Sequence, residues 1–170
     1  TTGDKKLGYA QNKDTLNRRT LALTQQQYSF SVKDPRLTRL YREARRIDPS
    51  EFPNSASLLL RVFLELSVDN FLIVHNVQLP QKHIDNKKKN WTDIGINLRE
   101  KIMTVLGIVD PDKKNHSLKM AWKGASGDMS HSIESLHDMI HNMHGEQNEK
   151  ELKLAWERWQ PFFKIMYENP

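Results

Sequence analysis

The chain has no cysteine. Disulfides, thiol nucleophiles and thiolate metal sites are excluded together, and the composition suits a reducing, cytoplasmic setting. Glycine is scarce as well, at 7 of 170 residues. None of it builds a phosphate-cradling loop, because "GASG" at 124–127 lacks the Lys-Ser/Thr ending such loops carry. No apolar run approaches the roughly 18 residues of a membrane span, and no signal-peptide pattern is present. A soluble chain with no membrane partner is the expectation. Serines are plentiful, yet no Gly-x-Ser-x-Gly elbow and no ordered triad pattern accompanies them. The chain begins "TTGDKKLGYA" without Met, which we take as the start of a fragment from a longer protein.

What is present is charge, and it is unevenly placed. Residues 1–46 hold 11 Lys/Arg against 4 Asp/Glu, a balance of +7, while the other 15 Lys/Arg and 17 Asp/Glu give −2. A local basic face of this kind attracts phosphates. Residues 1–32 are polar, rich in Gln, Thr and Asn, and without sustained period, so they read as an N-terminal arm or linker. Within them "YSFSV" alternates and is a candidate short strand.

From Asp34 the pattern turns helical, and residues 33–170 read as one all-α domain of about five to six helices. "DPRLTRLYREARRID" sets Asp34 at the cap and Pro35 at the first helical position. Leu37, Leu40, Tyr41, Ala44 and Ile47 form its apolar stripe, and Arg36, Arg39, Arg42 and Arg46 line the other side. "FPNSASLLLRVFLELSVDNFLIVHN" is apolar nearly all round, which marks a central buried helix. Its exceptions, Arg61, Glu65 and Asp69, recur every four residues and share one face. They are either a semi-buried network that sets helix register or the polar floor of a cleft.

"QLPQKHIDNKKKN" reads as a loop with a charge run. "WTDIGINLREKIMTVLG" reads as a helix capped by Thr92 and closed on Gly107. "HSLKMAWKGA" makes a short helix, and "HSIESLHDMIHNMHG" another. In the last helix Leu152, Ala155, Trp156, Trp159, Phe163 and Met166 lie on one side, and Pro161 is expected to kink or split it.

Four of the seven histidines fall between 131 and 144. His137 and His141 have the i, i+4 spacing that lets two imidazoles share an ion. The zinc-protease pattern requires Glu directly after the first His, however, and Asp138 stands there. No third ligand is identifiable, so neither a metal nor any other cofactor is expected. The bundle reading places Ile133, Leu136, Ile140 and Met143 in the core, with the histidines flanking them.

"LYREARRIDPSEFPNSASLLLRVFLELSVDNFL", the basic loop with "NLREKI", then "LHDMIHNMHG" and "AWERWQPFF" together resemble the HEPN-like helical domains of prokaryotes. These stand at the C-terminus of larger bacterial proteins, some with ParB-like nuclease or ATPase domains ahead of them. The resemblance covers residues 34–168. It implies a bundle around two long helices, often dimeric, and in many members a metal-independent ribonuclease whose hallmark is Arg, four to six residues, then His. There the His acts as acid or base and the Arg stabilises phosphorane charge. No arginine of this chain precedes a histidine at that distance.

The expectation is therefore a noncatalytic interaction module. It would dimerise, or dock on other domains of its parent, and touch nucleic acid through Arg36, Arg39, Arg42 and Arg46, with Lys87, Lys88 and Lys89 as a second patch. The alternative is a divergent ribonuclease that uses His137 or His141 with Arg61 and Glu65.

Overall fold

The computed structural model describes residues 13–127, 133 and 148–168. All regular structure among them is helical: α1 (Lys13–Leu16), α2 (Pro35–Ala44), α3 (Pro53–Val74), α4 (Gln81–Asp85), α5 (Leu98–Val109), α6 (Lys119–Ser126) and α7 (Glu149–Glu168). Single 3-10 turns lie at Gln26–Tyr28 and His116–Leu118. The "YSFSV" segment opens on the first of these turns and forms no strand.

The long apolar helix α3 is the axis. It packs against α2, α5 and α7, and α6 closes the bundle against α5 and α7. Phe63 and Leu60 of α3 are fully buried, as are Trp156, Phe162 and Phe163 of α7. Three of these rings form one connected cluster: Phe63 lies 5.4 Å from Trp156 and meets Phe163 edge-on at 5.0 Å. Phe30 stacks on Tyr41 at 4.3 Å and on Tyr167 at 5.2 Å. Such pairs add to the area term that drives burial. Ile133 is buried in the same core.

Residues 15–32 are woven into this core. Leu21, Ala22 and Phe30 are buried in it, and the Leu21 and Ala22 amides donate to the carbonyls of Ile47 and Ala44. Arg18 is the clip. Its guanidinium donates to Glu157 Oε1 at 2.6 Å and to the carbonyls of Thr15 (2.8 Å), Leu21 (2.6 Å) and Lys153 (3.0 Å).

Three local expectations are corrected. The loop after α3 contains the helix α4. Helix α5 starts not at Thr92 but at Leu98, where Asn97 Oδ1 accepts the Glu100 amide at 2.8 Å, and it runs on through Gly107 to Val109. Pro161 does not split α7. An interior proline costs about 3 kcal/mol, but Trp159, Phe162 and Phe163 around it are fully buried, and packing of that kind outweighs local propensity.

Candidate nucleic-acid interface

Helix α2 is built to present one face outward. Asp34 Oδ1 accepts the Leu37 amide at 2.9 Å, and Pro35 occupies the first turn. Leu37, Tyr41 and Ala44 are buried against α3 and the arm. With 100° per residue, Arg36, Arg39 and Arg42 then fall within a roughly 120° arc on the opposite side, and Arg46 follows in the turn after the helix. All four are exposed. The three on the helix lie along about 9 Å of its axis.

Their surroundings separate them from the other arginines. Arg18 is locked to Glu157, and Arg19 holds Asp48 at 2.8 Å and Glu51 at 3.4 Å. Arg45 lies over the Tyr41 ring at 5.5 Å and donates to the Thr24 carbonyl. Arg61 faces Glu65 at 3.7 Å, and Arg99 and Arg158 are also engaged. Arg36, Arg39, Arg42 and Arg46 make no side-chain hydrogen bond or ion pair among the described residues. The exposed carboxylate of Glu43 falls in the same arc, and the surplus of positive charge around it makes the face attractive to anions.

The second basic patch is a different kind of place. Lys87 and Lys89 are exposed, but Lys88 Nζ donates to the Ile94 carbonyl. Lys87 is the left-handed residue after α4, with φ of 60°; the Lys88 amide closes that helix end on the His83 carbonyl. Asp93 accepts the Lys89 and Asn90 amides, and these bonds hold its carboxyl below the ordinary range. The patch borders a shallow hollow at the C-terminal end of α3, beside Ile73 and Asn76. Arg46 borders another at the N-terminal end, beside Ser55 and Leu59. Seventeen residues of helix, about 25 Å, separate the two stations. They do not form one continuous surface.

The face shared by Arg61, Glu65 and Asp69 is divided in the fold. Asp69 turns to Lys101 of α5 at 2.7 Å, and both side chains are almost wholly buried. Burial raises the Asp69 pKa even against that partner. Among the described residues Arg61 and Glu65 are left to each other, half-buried, and the buried Arg61 Nη1 has no hydrogen-bond partner there. His137 and His141 lie outside the described residues. Among the described residues no cluster of three or more His, Asp or Glu side chains is placed to hold a metal ion, and no helix is long and apolar enough to cross a membrane.

The open hollow at the N-terminal end of α3 has a volume of about 550 Å³. The turn from α2 into α3 forms it. Asp48 anchors the turn by accepting the Ser50 amide and hydroxyl and the Arg19 guanidinium, bonds that hold its carboxyl far below the usual range. No protein-family model, curated protein or solved structure matches the chain.

Proposed function

We propose that this chain is a noncatalytic, HEPN-like helical module that contacts nucleic acid through the outer face of α2 and joins a larger protein or a second copy by docking. The observation that carries the nucleic-acid reading is the unpaired state of Arg36, Arg39, Arg42 and Arg46 in a molecule whose other described arginines are all engaged. Four guanidiniums supply the charge to neutralise about four phosphates of one strand.

The test is nucleic-acid affinity as a function of salt. Four phosphate contacts give a slope of about −3.6 in log K against log[salt] on duplex and about −2.8 on a single strand. Between about 50 and 200 mM salt, the duplex value amounts to a roughly 150-fold loss. Replacing all four arginines by Gln should abolish that dependence along with most of the affinity. Unchanged binding in the quadruple variant would sink the proposal. The divergent-ribonuclease alternative draws support from the buried, unpartnered Nη1 of Arg61 beside Glu65. It requires RNA cleavage that disappears in His141→Ala while helical content is kept.

A further inference from the structure

The basic face of α2 leads into the cleft between α2 and α3, and Arg46 belongs to both. Phe52 lines this cleft and is 55% exposed. No other aromatic ring among the described residues is so open to solvent; the rest are buried or half-buried. Its backbone is fixed: the Phe52 amide donates to the Asp48 carbonyl, and its own carbonyl accepts the Ala56 amide at the start of α3. The ring therefore stands on a rigid turn with little to pack against. Ile47 and Leu59 supply the apolar part of the cleft wall.

The charge inside the cleft is opposite to that of the face outside. Two guanidiniums, Arg19 and Arg46, meet three carboxylates, Glu43, Asp48 and Glu51. Arg19 is already committed to Asp48 and Glu51, while Glu43 is exposed and unpaired among the described residues. A phosphate is repelled from such a pocket. An uncharged planar group is not: the Phe52 ring can stack on it, and the carboxylates accept from exocyclic amines as they do from cytosine N4.

We infer that the module's ligand is single-stranded nucleic acid, with the backbone on the α2 arginines and one unstacked, amino-bearing base seated in the cleft on Phe52. This rests on the nucleic-acid reading above and narrows it. A duplex keeps its bases stacked and cannot deliver one to Phe52 without the cost of flipping it.

The test uses the full chain with fluorescent oligodeoxycytidylate, oligocytidylate and a blunt duplex of the same length. At least one single strand should bind more tightly than the duplex. Phe52→Ala should weaken that complex about 5- to 150-fold, the equivalent of the 1–3 kcal/mol that one base–aromatic stack contributes, with the salt slope unchanged. Phe52→Trp should retain binding. An oligomer with an abasic residue at the seated position should lose affinity in the parent protein and nothing further in Phe52→Ala. If Phe52→Ala binds as the parent does, or the duplex binds as tightly as the single strands, the base-cleft inference is overturned while the α2 reading stands. If no nucleic acid binds, both are overturned.

Discussion

Removing the guanidinium of Arg18 should cost far more than removing any other arginine in the chain. Arg18 and Glu157 are 2.6 Å apart with side-chain exposures of 8% and 10%, so neither charge has bulk water to fall back on. Burial pulls the Arg18 pKa down, and Glu157 opposes that shift. Arg18→Met leaves the Glu157 carboxylate uncompensated and removes the donor to the Leu21 carbonyl. Breaking one side of a buried pair costs about 3–5 kcal/mol. For a chain of this size, each kcal/mol lowers Tm by about 2–4 °C, so the expected drop is roughly 6–20 °C. The assay is urea unfolding followed by circular dichroism, combined with amide exchange at Ala22, whose N–H donates to the Ala44 carbonyl at 2.8 Å. Exchange there should accelerate first. Arg18→Met with Glu157→Leu removes both charges and should recover most of the loss, because an apolar replacement of similar volume avoids the desolvation that the pair carries. A single Arg18→Met loss below about 1 kcal/mol, the value of an exposed pair, would refute the clip.

The Lys101–Asp69 pair should show the same asymmetry: Asp69→Ala alone costs about 3–5 kcal/mol, whereas Asp69→Leu with Lys101→Met is neutral or stabilising, as measured by chemical denaturation. Asp48 acts in the acid range. Its folded pKa is depressed by the bonds from Ser50 and Arg19, so its stabilisation is complete above the unfolded carboxylate pKa of about 3.9 and fades as pH falls below it. The stability gap between the parent and Asp48→Asn should therefore be constant near neutrality and narrow below about pH 4; a gap that widens there contradicts the assignment. Lys87 has a φ of 60°, a conformation that costs a residue with a Cβ about 1–2 kcal/mol. Lys87→Gly should thus stabilise the protein by about 1 kcal/mol, visible as a higher thermal midpoint, while a loss would show that the lysine side chain is needed at that turn.

Periodicity made the helices legible because it reports burial directly. The α2 and α7 stripes are buried or half-buried where a 3.6-residue repeat puts them. Ends were less legible, since they depend on which of several polar residues caps. Thr92 and Asn97 both precede apolar runs, and Asn97 with Glu100 three residues later was the stronger signal. The tolerance of Pro161 rests on the burial of the rings around it, and the core role of Phe30 rests partly on Phe163 and Tyr167, more than a hundred positions away; no local window has access to either. The exposed arginines of α2 could be found because they lie opposite a clear stripe. Phe52 was read only as the lead-in to an apolar helix, and nothing in its neighbours separates a ring that packs from one that stands free.

The arm and the last helix meet across nearly the whole chain: Arg18 with Glu157, and the Tyr28 carbonyl with Gln160 Nε2. Contacts of such sequence separation are slow to form, since the loop between them must be closed before they contribute. During synthesis Phe30, Tyr41 and Phe63 can stack on one another, but Trp156, Phe163 and Tyr167 join them only when α7 has left the ribosome. Through the making of α4, α5 and α6 the nascent chain therefore leaves exposed the face of its most apolar helix, α3, that α7 covers in the finished fold. It is in that interval, more than in the finished fold, that this protein is open to aggregation and to chaperone capture.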